Sequence, residues 1–138
     1  MRALPSSDKA LVVRTDFSDD AAWARVCREM EAPVGEFRAY LSFLSDPAFA
    51  GLTVDDLTVL AQRGPYRTFL FVVDRVALTD PEHPILVLDL ADEPGRTFRV
   101  VPSEMWGVEN NLSIANMDYA DFADSADGDG IFRGFPDV

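Results

Sequence analysis

The sequence is poor in the residues that most often carry chemistry. Its 138 residues include one cysteine, Cys27, one histidine, His83, and a single lysine, Lys9. One thiol excludes an internal disulfide framework and any multi-cysteine zinc site. One histidine excludes an H-E-x-x-H metal motif, and neither a phosphate-cradling glycine-rich loop nor a G-x-S-x-G elbow is present. No cofactor is therefore expected, and the fold should be metal-independent. Positive charge is also scarce, with 12 Lys+Arg against 24 Asp+Glu and a net charge of −12. A phosphate backbone would be repelled and no basic cluster compensates, so nucleic acid is not an expected partner. No apolar run approaches the roughly 18 residues that a membrane span needs. The opening MRALPSSDK has no apolar core of a signal sequence, so a cytoplasmic location without membrane contact is expected. What the chain does have is apolar residues, 48% of the total, enough for one well-formed core.

Their spacing predicts a loose arm over 1–9, one α/β domain over 10–127, and an irregular tail over 128–138 packed on it. Ala10–Val13, Phe69–Val73 and Ile85–Leu88 are continuous apolar runs, the signature of strands covered on both faces. Phe37 to Phe43 alternates apolar with polar, which predicts a half-exposed edge strand. Phe98–Val101 is a fifth strand, reached through the Glu93-Pro94-Gly95 turn. Trp23, Val26, Cys27 and Met30 fall on one helical stripe, with Ser18 as the expected N-cap and Trp23 buried. Thr53–Asp56 resembles a capping box ahead of Leu57, Leu60 and Ala61. Tyr119, Phe122, Ala123 and Ala126 give a third helix with Asn116 as its expected N-cap. The predicted order is β-α-β-α-β-β-β-α, a five-stranded mixed sheet covered by helices. Its first three strands should be parallel and the rest antiparallel, because the last connections are too short for helical crossovers.

That topology brings several polar residues to the carboxyl ends of the strands, the usual ligand side of an open α/β sheet. Asp16 follows strand one and Asp74 follows strand three. Asp80, Glu82 and His83 occupy the next turn, and Glu104 and Trp106 follow strand five. Each has a plain structural reading beside the functional one: Asp74 and Asp80 can solvate turns, and His83 can be a turn residue. Cys27 reads as a core residue. Asp127-Gly128-Asp129-Gly130 has the look of a calcium loop, but Pro136 would fall at the bidentate glutamate position, so an EF-hand is excluded. The stretch 103–118 has no clean helical or strand period. It reads either as a loop organised by its asparagines or as a recognition loop with Trp106 as anchor and Asn110 and Asn111 as hydrogen-bonding groups.

The phrases VVRTDFSDDAAW at 12–23, FLFVVDRVALTDPEHPILVLDL at 69–90 and FRVVPSEMWGVENNLSIANMDYADFA at 98–123, with GIFRGF at 130–135, carry a resemblance. On them the chain resembles a bacterial family of domains of unknown function. The resemblance implies a bacterial, intracellular, single-domain protein and transfers no mechanism.

Two functions fit this pattern. The first is an acidic binding module of the immunity or inhibitor type, steering a protein or cationic ligand toward Asp16, Asp74, Asp80, Glu104, Trp106, Asn110 and Asn111. The second is a small acid–base or hydrolytic enzyme using His83 with Asp74, Glu82 or Glu104. Oligomeric state is not legible.

Overall fold

The computed structural model describes residues 3–136. The ends of the expected arm and tail, residues 1–2 and 137–138, lie outside that range. A six-stranded mixed sheet runs through the molecule in the order β2-β1-β3-β4-β5-β6. Its strands are β1 (Ala10–Arg14), β2 (Leu41–Leu44), β3 (Phe69–Val73), β4 (Ile85–Asp89), β5 (Thr97–Val100) and β6 (Ile131–Phe132). β1 pairs in parallel with β2 and β3, while β3–β4 and β4–β5 are antiparallel. The sixth strand was not expected. Ile131 and Phe132 of the supposedly irregular tail pair in parallel with Arg99 and Val100 and close that edge.

The helices are α1 (Asp20–Glu31), α2 (Val54–Arg63), α3 (Arg75–Thr79), α4 (Met105–Ser113) and α5 (Tyr119–Ala123). Alternate side chains of the central strands feed two separate apolar layers. Val12, Phe71, Val73 and Val87 pack with α1, α4 and α5; Leu11, Val13, Leu70, Val72 and Leu88 pack with α2 and Phe49. Both faces are therefore covered, which is why the central strands read as unbroken apolar runs. Leu4, in the expected arm, is buried in the second layer. No helix among the described residues is long and apolar enough to cross a membrane.

Four local expectations are corrected. Asp19, not Ser18, caps α1, accepting from the Ala22 amide at 2.9 Å, because Ser18 turns back to bond Asp16. The edge strand begins at Leu41, four residues late. Gly35, at φ +61°, folds Val34 back on Phe37 through paired backbone hydrogen bonds, and the Tyr40 amide goes to the Glu109 carboxylate instead of a ladder. Residues 105–113 are helical, and the last helix starts after Asp118 rather than Asn116. Trp23 is half-buried at the margin of α1, edge-on to Phe43 and beneath the Arg14 guanidinium. Cys27 is only partly buried; burial, then Glu31, pushes its thiol up to about 11, so it stays protonated at neutral pH.

Candidate functional site

Asp16, Asp74 and Asp80, which the sequence places at the strand ends, each accept hydrogen bonds from the protein itself. Asp16 accepts from the amide and hydroxyl of Ser18, and these bonds hold its carboxyl below the usual range. Asp74 caps α3 through the Ala77 amide at 3.1 Å and meets Arg99 in a fork at 2.9 and 2.7 Å. Asp80 accepts from the Glu82 amide at 2.9 Å, an Asx turn that leads into His83. His83 adopts φ +48°, a conformation that a non-glycine residue takes only when its surroundings hold it there. Its Nδ1 lies 2.9 Å from the Ala77 carbonyl, which can only accept, so Nδ1 carries the proton. Nε2 then faces Glu29 at 3.6 Å.

Asp16, Asp74, Asp80 and His83 do not converge: among the described residues no three His, Cys, Asp or Glu side chains are placed to hold a metal. The carboxylates that do gather surround an arginine of the protein itself. Arg133 bonds Glu82 at 2.7 and 2.8 Å, Asp127 at 2.7 Å and Asp129 at 2.7 Å. It holds the Glu82 and Asp129 carboxyls below their usual range, and they raise its own pKa in turn. Depressed carboxyls stabilise the fold above the ordinary carboxylate range, and that contribution is lost as pH falls through their lowered values. The stability gap between the wild type and Arg133→Gln should therefore be widest near neutrality and close on acidification. Denaturant midpoints taken at a series of pH values measure it; a gap independent of pH would mean that the cluster contributes nothing.

Glu82 and Arg133 of this cluster line a groove of about 460 Å³. The end of α1 supplies Glu29, Pro33 and Val34; the far wall is Pro81, Glu82 and the exit of β5 at Val101–Ser103. Of the expected rim, Glu82 lines the groove and His83 touches its Glu29. Glu104 packs against Gly134, where burial pushes its carboxyl up. Trp106, on α4, stacks on Phe37, with ring centres 4.5 Å apart and planes 15° apart. Phe37 and Val34 remain 49% and 40% exposed, so the stack ends in an apolar surface beside the groove.

Asn110 and Asn111, both half-buried, bond within the chain. Asn110 donates to the Arg38 carbonyl and to Glu109, while Asn111 bonds the Gly107 carbonyl and Asn116. Residues 9–135 match the family described as a domain of unknown function (DUF6924). The chain belongs to this family. The match spans every element of the sheet and both walls of the groove. No curated protein matches the chain. Sequence reasoning missed Phe37, Glu29 and Arg133 as parts of this surface. Phe37 read as the first apolar position of the alternating edge strand, whereas Arg133 carried no signal apart from its charge.

Proposed function

We propose that this domain is a binding module of the inhibitor or immunity type, and that the groove with its Phe37–Trp106 margin is where a basic protein docks. The exposed stack carries the reading. A ring already held against another ring loses little freedom on binding, and central aromatics supply most of the energy of protein interfaces. The charges beside it favour a cationic partner. Arg133 is neutralised by three carboxylates, Glu29 adds another at the opposite wall, and the chain as a whole carries −12. Such a field speeds encounter with a positive surface and fades as salt rises.

A second reading keeps His83 as a general base, because its Nδ1 bond fixes the tautomer that leaves Nε2 free to accept a proton. One comparison separates the two. The wild type, Phe37→Ser and His83→Gln are each used to capture and titrate a basic partner from the native host, and to screen for hydrolytic turnover. Phe37→Ser should weaken the complex by about 2 kcal/mol, roughly thirtyfold, while His83→Gln leaves it unchanged. Binding indifferent to Phe37, or turnover that disappears with His83, would overturn the binding reading.

A further inference from the structure

The opposite end of the sheet, where β1 and β3 begin, has different chemistry. Residues 6–10 run into β1 beside residues 65–69, which run into β3, and between them lies a hollow of about 380 Å³. Arg67 is its central cation. Among the described residues, Arg14 is buried and Arg67, Arg96 and Arg99 are half-buried. Arg14, Arg96 and Arg99 have a carboxylate within hydrogen-bond distance: Asp20 at 2.7 Å, Asp124 at 2.6 Å and Asp74 at 2.7 Å, respectively. Arg67 has none. Its Nη2 donates to the Pro5 carbonyl, and its Nη1 is shut off from solvent with no hydrogen-bond partner.

A chain with 24 acidic residues has ample means to pair a half-buried guanidinium, so one left without a carboxylate stands out. A nitrogen buried without a partner gives up its bonds to water and gains none in return. The walls around Arg67 add donors: the Lys9 ammonium and the hydroxyls of Ser6, Ser7 and Thr68. Asp8 is the one acid of the lining, and no ion pair joins it to Arg67 or Lys9. So many donors around one planar cation outnumber what the two oxygens of a carboxylate can use, and suit the three terminal oxygens of a phosphate monoester.

We propose that this hollow binds the phosphate group of a small molecule, with Arg67 and Lys9 as its charged ligands and the surrounding hydroxyls completing the shell. The site is separate from the groove at the strand ends, and it stands whether or not that groove binds a protein. Contact with Nη1, which is shut off from solvent, would require residues 5–9 to shift, and their hydrogen bond to Arg67 is the one from Nη2 to the Pro5 carbonyl.

The test is an amide-resolved NMR titration of the full chain with inorganic phosphate, at ionic strength held constant with sodium chloride. A parallel arm uses acetate. Phosphate should shift the amides of residues 7–9, 67–68 and 113 saturably. Arg67→Gln and Lys9→Gln should each weaken that binding by about tenfold or more. Should Arg67→Gln fail to fold, Lys9→Gln and Thr68→Val decide. Absence of saturable shifts overturns the proposal, as does equal affinity in the variants. Acetate binding as tightly as phosphate overturns the choice of phosphate.

Discussion

Replacing Glu109 with alanine is expected to lower stability by about 3 kcal/mol, read as a reduced urea midpoint at unchanged slope. Glu109 is 4% exposed, one of the few charged side chains inside the molecule. Its carboxylate accepts from the Tyr40 amide at 2.6 Å, the Ser113 hydroxyl at 2.6 Å and the Asn110 amide at 3.0 Å. Hydrogen bonds to a charged acceptor are worth about 1.5–3 kcal/mol each, and truncation strands their donors as well as leaving a void. The bond to Tyr40 spans 69 residues and joins α4 to the segment leading into β2. Trp106 sits on the first of these and Phe37 on the second. Glu109→Ala should thus also loosen the aromatic stack and shift the tryptophan emission. Glu109→Gln, which keeps an acceptor for Tyr40 and can donate to Ser113, should recover more than half of the loss. A cost below about 1 kcal/mol for alanine would show that the carboxylate's desolvation cancels its bonds.

Glu109 also shows why parts of this fold were illegible. Met105, Val108 and Leu112 of α4 are buried and lie on one helical stripe, but a buried glutamate sits among them. Gly107 and two asparagines interrupt the rest, so the segment has the composition of a loop. Its helicity comes from tertiary contacts that a local pattern does not contain. β6 is obscure for a simpler reason: two residues carry no period, and their strand character comes from pairing with β5. The central strands were readable because both faces are covered, which leaves continuous apolar runs at β1, β3 and β4. α2 was readable because its capping box is local, with Thr53 and Asp56 bonding reciprocally at 3.0 and 3.1 Å. The candidate site divides in the same way. Strand direction brought carboxylates and His83 to one end of the sheet from sequence alone. Their partners lie far along the chain, Arg99 at 25 residues from Asp74 and Arg133 at 51 from Glu82, and no spacing rule connects them.

Asp74 tests whether a strand-end carboxylate here is a fastening or a contact for a partner. Asp74→Ala is expected to cost about 2–4 kcal/mol, combining a lost helix cap with an unpaired guanidinium. Both side chains are mostly covered, 28% and 21% exposed, so solvent screens the pair only in part. Arg99 also donates to the Pro84 carbonyl at 3.0 Å, which ties the fork to the start of β4 and to the turn that holds His83. Two further variants separate the contributions. Asp74→Asn retains a capping oxygen for the Ala77 amide and loses the charge, so its cost should fall to about half. Asp74→Ala combined with Arg99→Met removes the stranded cation, and should be more stable than Asp74→Ala alone. Midpoints for the wild type, Asp74→Ala, Arg99→Met and the double variant, taken at low and moderate salt, complete the cycle. If Asp74→Ala costs less than about 1 kcal/mol, the carboxylate is not needed by the fold, and its place at the end of β3 makes it available to a docking partner. If the expected loss is found, Asp74 is a fastening between the end of β3, α3 and Arg99, and the proposed docking surface is left to the groove from Glu29 to Phe37.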